Sequence, residues 1–206
     1  MYIHCNKKKL ERIDVTKLAL LGGLDCYGNE LTSIDLSHNR YLKSLYLKGN
    51  KLKSLDLSAN IELIYVNCSN NQLSELNVSG CVELEVLYCD HNRLENLNFK
   101  NHKKTIWIEC SNNQLSELNI SGCVELEDLY CSHNRLENLN FKNNKKMDWI
   151  ECKNNLFSAS GLNLLFESLL NTRGLNQHIH IDNNPGTADC NKKIATNKGW
   201  HVLGVD

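Results

Sequence analysis

The chain has 206 residues, 41% of them apolar, and a net charge of −1. That length and apolar share allow one sizeable core or one elongated array, and the balanced charge supplies no global field for nucleic acid or an anionic membrane. No apolar run approaches the roughly 18–20 residues of a membrane span, and the opening MYIHCNKKKLERIDV shows lysines without an apolar stretch or cleavage site, so no export signal is visible.

A register of 21 residues runs through most of the chain, opened by Leu21, Leu42, Leu63, Leu84, Thr105, Leu126 and Met147. Each repeat reads L-x-x-L-x-C-x-x-N-x-L-x-x-L-x-V/L/F-S/K-x-N-x-x. One period further back, Ile3, Cys5, Leu10, Ile13 and Val15 fit the same template, with Lys8 where later repeats carry asparagine. The array is therefore expected to span residues 1–157 as about eight coils. Its first strand would lie at an edge, where Lys7, Lys8 and Lys9 could blunt pairing and where the chain could self-associate. Residues 68–109 and 110–151 are almost the same text, differing at six of 42 positions: Val78/Ile120, Val86/Asp128, Asp90/Ser132, His102/Asn144, Thr105/Met147 and Ile106/Asp148. A fixed period of this kind marks a solenoid, in which each coil stacks on its neighbours.

Within each coil the second half (LTSIDLS, LKSLDLS, LSELNVS, LENLNFK) alternates with period two, which predicts an extended segment rather than a helix. With both sides extended, both rise by about 4.8 Å per coil and the array is only weakly curved. After Cys152 and Asn155 the template is expected to stop. Residues 158–206 then form an α/β C-terminal cap of helix, strand, helix and strand packed on the last coil. Its first helix is N-capped within Ser158-Ala-Ser160, carries Leu162, Leu165, Phe166 and Leu169 on one face, and ends near Gly174. A strand at His178–Ile181, a turn at Asn183–Gly186, a helix from Ile194 to Gly199 and a strand from Trp200 to Val205 follow.

The pattern L-x-x-L-x-C-x-x-N over residues 1–157 resembles a leucine-rich repeat. Cysteine at the third leucine position, the 21-residue period and the companion L-x-x-L-x-V/L-S are similar to the cysteine-containing repeats of internalin J-like proteins. The resemblance implies a parallel β-sheet on the concave side and extended segments on the convex side. It also implies a bacterial protein, mostly cell-surface or secreted in that family, that makes adhesive contacts. The string I-x-I-x-x-N-P-G … K-G-W-x-V resembles the C-terminal caps of leucine-rich proteins from gut Bacteroidetes.

Period assigns most reactive-looking residues to structure. Cys5, Cys26, Cys68, Cys89, Cys110, Cys131 and Cys152 occupy one coil position, with Leu47 in the remaining coil, so the site accepts a small or medium apolar group rather than requiring a thiolate. Neighbouring Cα atoms fall in disulfide range, but side chains stacked in a parallel ladder point the same way, which favours reduced thiols over pairing. Cys81 and Cys123 lie two coils apart, too far to pair, and Cys190 is expected to be the exposed thiol of the cap. Asn29, Asn50, Asn71, Asn92, Asn113, Asn134 and Asn155 should form a ladder satisfying backbone groups. His91 and His133 are two coils apart, and His178 with His180 is a weak metal signal. No metal, cofactor or catalytic residue is expected. The alternation of Glu83, Lys104, Glu125 and Lys146 reads as an inter-coil ion-pair ladder.

Outward positions of the concave strands collect six of the seven tyrosines and two of the three tryptophans. They form a zigzag, Tyr46, Tyr65, Tyr88, Trp107, Tyr130 and Trp149, with Glu109, Asp128 and Glu151 interleaved. Two readings stand. The face binds a protein, peptide or glycan, preferably basic or polar and extended, or the rings only stabilise the sheet through cross-strand contact. In the first reading the chain is a non-catalytic recognition module, and in the second a structural scaffold.

Overall fold

The structure is a computed structural model that describes residues 1–172 and 176–204. In chain order the first strands are β1 (Tyr2–His4), β2 (Gly23–Asp25), β3 (Ser44–Tyr46), β4 (Ser54–Asp56), β5 (Tyr65–Asn67), β6 (Glu75–Asn77) and β7 (Val86–Tyr88). There follow β8 (Asn96–Asn98), β9 (Trp107–Glu109), β10 (Glu117–Asn119), β11 (Asp128–Tyr130) and β12 (Trp149–Glu151). The C-terminal part holds helix α1 (Ala159–Ser168), β13 (His178–His180), helix α2 (Lys193–Thr196) and β14 (His201–Leu203).

The strands β1, β2, β3, β5, β7, β9, β11, β12, β13 and β14 form one sheet of 10 strands in that order, with every pairing parallel. Registers such as Leu45↔Val66 and Leu87↔Ile108 hold the 21-residue step without slippage. The central residue of each main-sheet strand from β2 to β13 points inward and is fully buried, as at Leu24, Leu45, Val66, Leu87, Ile108, Leu129, Ile150 and Ile179. On the opposite side the second half of four coils forms a short strand, and these strands make two parallel pairs, β4 with β6 and β8 with β10. Between the two sides lies one continuous core. Its layers are set by Leu21, Leu42, Leu63, Leu84 and Leu126, by the cysteine column, and by Leu57, Val78, Phe99, Ile120 and Phe141.

Polar ladders hold the turns. Asn134 is typical: its Nδ2 donates to the carbonyls of Cys110 and Cys131, each at 3.1 Å, and its Oδ1 accepts from Leu115 N at 2.9 Å. The residue just before each ladder asparagine takes a left-handed conformation: Gly28, Gly49, Asn70, His91, Asn112, His133 and Asn154. Glycine and asparagine enter that region at low cost and histidine is also enriched there. His91 and His133 are therefore turn residues.

Past Asn155 the period breaks while the template persists, which departs from the sequence expectation. Ile179, Ile181, Asn183 and Asn184 repeat the inner leucine, the cysteine position, the left-handed residue and the ladder asparagine. Asn184 Nδ2 donates to Cys152 O (3.1 Å) and Ile181 O (2.8 Å), and its Oδ1 accepts from Asn155 N (3.1 Å). Ile179 lies opposite Ile150, 29 residues back instead of 21, because α1 is inserted between them. The array therefore gains a ninth turn from the segment expected only to cover it.

Helix α1 is capped at Ser158, whose side chain accepts from Gly161 N at 3.0 Å. Leu162, Leu165, Phe166 and Leu169 are buried. The helix stops at Ser168, where Leu169 turns extended. Lys198 Nζ then covers its open end by donating to the carbonyls of Phe166, Glu167 and Leu169. Gly174 and Val205, expected at the ends of the first cap helix and the last strand, lie outside the described residues.

All ten cysteines are free thiols. The ladder members from Cys26 to Cys152 are fully buried, and burial pushes Cys68 and Cys152 up to about 12. Cys190 is a correction: it is buried beneath the cap, its Sγ placed against Thr187 O at 3.4 Å, while Cys5 is the least buried thiol. Charge pairs are also more discrete than a continuous ladder. Lys104 pairs with Glu83 and Lys146 with Glu125, each linking two adjacent coils.

Candidate functional site

The outward positions of the main sheet build the candidate surface. Because side chains alternate along a strand, the residues flanking each buried centre face solvent together. Tyr46, Tyr65, Tyr88, Trp107, Tyr130 and Trp149 are all half-buried on that face. Their rings lie closer than backbone spacing alone requires. Centroids are 4.9 Å apart for Tyr46–Tyr65, 5.9 Å for Tyr65–Tyr88, 6.1 Å for Tyr88–Trp107 and 4.9 Å for Trp107–Tyr130, with interplanar angles of 32–44°. From Tyr46 to Tyr130 each ring leans on the next, so part of each face is taken up by a neighbour.

A second ring cluster on the same face begins at Trp149. Trp149 meets His178 at 5.1 Å and His180 edge-on at 6.0 Å, and His178 stacks on His201 at 5.1 Å. These histidines belong to β13 and β14, which pair in register with β12. The signal was present as HIH at the strand position of a ninth coil, hidden by the longer interval. Among the described residues no three His, Cys, Asp or Glu side chains are grouped to hold a metal ion.

The acids stand among the rings. Glu109 lies in register between Tyr88 and Tyr130, and Asp128 between Trp107 and Trp149. Burial raises the Glu109 carboxyl above its ordinary value, opposed by the bond from Ser111 N at 3.0 Å. Asp128 is raised by burial and then by Asp148 and Glu127. Neither carboxylate has a cationic partner within ion-pair distance among the described residues, whereas Glu151 pairs with Lys153 at 2.7 Å. Burial also raises the Tyr46, Tyr65, Tyr88 and Tyr130 phenols, which keeps them protonated as donors. Chemically, the face offers hydroxyl groups, ring edges and two uncompensated carboxylates on a rigid sheet.

No protein-family model and no curated protein matches the sequence. Solved structures do. The functional domain of InlJ from Listeria monocytogenes, described as including a cysteine ladder, superposes with a TM-score of 0.65 at 23% identity, over 95% of this chain and 46% of that one. The internalin InlF of Listeria monocytogenes gives 0.73 at 17% identity, over 93% and 52%. YopM, a leucine-rich effector protein from Yersinia pestis, gives 0.68 at 25% identity, over 91% and 50%.

The fold is a leucine-rich-repeat solenoid.

The chain spans about half the length of these three structures. This chain also carries a column of cysteines, buried inside its coils, beside the cysteine ladder named for InlJ.

Proposed function

We propose that this leucine-rich-repeat chain is a non-catalytic recognition module that takes an extended, positively charged peptide segment along its concave sheet. Residues 1–157 supply the array in this reading, and residues 158–206 act as a cap that also lengthens the surface. The observation that carries it is the pair Glu109 and Asp128, two partly buried carboxylates set between aromatic rings without a cation beside them. Leaving charge uncompensated in a partly desolvated site costs stability, and a lysine or arginine from a partner would recover that cost. Glu85, Glu127 and Asp148 extend the same sign along one margin. The tilted ring stack favours this chemistry over a glycan, because stacking on a sugar needs open ring faces. Support from the comparisons is of a general kind, since the similar structures include internalins and an effector protein.

The test is a binding screen of basic, neutral and acidic peptides alongside a glycan array. Basic peptides should bind, and their affinity should fall with salt. The paired change Glu109→Gln with Asp128→Asn should weaken binding about tenfold without lowering the melting temperature. Replacing Trp107, Tyr130 and Trp149 together with alanine separates the two roles of the rings. Unchanged peptide binding with a lower melting temperature would leave them as sheet stabilisers and remove the recognition reading.

A further inference from the structure

Within the cysteine column one neighbouring pair differs from the rest. Cys5 Sγ and Cys26 Sγ are 2.7 Å apart. That is shorter than the roughly 3.5–4.0 Å of an ordinary non-bonded heavy-atom contact, and longer than the roughly 2.0 Å of a disulfide. Cys5 Sγ also lies 3.5 Å from Asp25 O, as Cys68 Sγ lies from Tyr88 O (3.5 Å), Cys110 Sγ from Tyr130 O (3.4 Å) and Cys152 Sγ from His180 O (3.2 Å), so the close thiol contact itself is the difference.

Two features make this pair a candidate. The rung beyond Cys26 is Leu47, fully buried, so Cys5 is the one thiol that neighbours Cys26 in the column. Cys5 is the one member of the column that is not fully buried, which gives a soluble thiol reagent access to it. Asn29 Nδ2 donates to the carbonyls of both Cys5 and Cys26, at 2.9 Å each, and holds the two backbones in register as the other ladder asparagines hold theirs. Burial raises the Cys26 thiol and makes it the less reactive partner, so Cys5 is the entry point.

We propose that Cys5 and Cys26 are a redox modification site that closes to a disulfide in the presence of a low-molecular-weight disulfide such as oxidised glutathione, covalently tying the first coil to the second. The Cys5 thiolate attacks one sulfur of the small disulfide, forming a mixed disulfide and expelling one small thiolate, which takes up the proton that Cys5 lost. The Cys26 thiolate then attacks the Cys5 sulfur and expels the second small thiol, again with proton transfer. Two protein thiols are oxidised, and one small disulfide is reduced to two thiols. The remaining eight cysteines stay reduced, because six are fully buried in the column or the convex ladder with no comparable thiol contact, Cys81 faces Leu57 O at 3.3 Å, and Cys190 faces Thr187 O.

The experiment equilibrates the full chain in graded mixtures of reduced and oxidised glutathione, alkylates free thiols and maps tryptic peptides. Cleavage after Lys7, Lys17 and Arg40 puts Cys5 in residues 1–7 and Cys26 alone in residues 18–40. The expected result is a cross-linked 1–7/18–40 species at a poise where every other cysteine is alkylated, together with a higher melting temperature than in the reduced chain. Cys5→Ser should abolish both the cross-link and the redox dependence of melting. Alkylation of both residues at every poise, or cross-links spread over other rungs at the same poise, would overturn the proposal. The wild-type peptide map decides the matter even where the variant fails to fold.

Discussion

Two ladders of buried polar side chains run the length of this solenoid, one at each turn, and they are built to different tolerances. At the turn after the concave strand every rung from Asn29 to Asn184 is asparagine, and both ends of the amide are used. At the turn after the convex segment the rungs are Asn39, Asn60, Cys81, His102, Cys123 and Asn144. There Asn60 Nδ2 donates to Leu36 O (3.0 Å) and Asn39 O (2.9 Å), yet its Oδ1 is buried without a partner, as are those of Asn39 and Asn144. A position that donates to two carbonyls and accepts from an N–H at once is suited to a short amide side chain. A position that need only donate can be filled by an amide, an imidazole (His102 Nε2 to Val78 O, 2.9 Å) or a thiol near a carbonyl.

The contrast is sharpest under substitution. Asn134→Ala leaves the Leu115 N–H without a partner in the interior and takes one of two amide donors from the Cys110 and Cys131 carbonyls, which keep Asn113 and Asn155, and should cost about 2–3 kcal/mol in denaturant unfolding. Asn60→Ala orphans no backbone group, since the Leu36 and Asn39 carbonyls keep the N–H groups of Asn39 and Leu42, and it removes an amide oxygen that was itself unpaired, so only about 1 kcal/mol is expected from the same measurement. Equal losses at the two positions would break the comparison. Asn60→Cys, copying the solution at Cys81, should cost less than about 1 kcal/mol. The smallest effect is at Glu109, a third kind of site. Its carboxyl is raised above its ordinary 4.5, so the native chain binds that proton more tightly than the unfolded chain does. Stability from this group is therefore present at low pH and lost as pH rises from about that ordinary value through the native one. Glu109→Gln should raise the neutral-pH melting temperature by about 1–3 °C and flatten that part of the pH profile. An unchanged profile would show that burial of Glu109 carries no cost.

Much of the fold was legible because each coil restates the same constraint. The leucine positions, the cysteine column and the first asparagine ladder follow from period alone, since a stacked coil must bury the same positions each time. The ninth turn at Ile179–Asn184 was not legible. Its interval of 29 residues is set by α1 packing on Phe141 and the last coil, which is a tertiary effect. The burial of Cys190 was missed for the same reason, as it depends on how the cap folds over itself. On the concave face the sequence placed the rings and acids but not their tilt, and tilt decides which part of a ring a partner can meet. The histidines of β13 and β14, which cluster with Trp149, reach this face through the ninth turn.

The near-identity of residues 68–109 and 110–151 extends beyond the text to the joints. Val78 and Ile120 precede Phe99 and Phe141 in the core, Glu83 meets Lys104 as Glu125 meets Lys146, and Gly80 and Gly122 pass equally close to the preceding coil's backbone. The natural building piece is therefore a pair of coils with matching ends. Such a piece can be copied or excised by recombination without creating a new interface, and the array would change by two strands each time. The length of the concave ribbon is in that sense an inheritable dimension, adjusted in fixed steps while everything that holds the coils together stays as it was.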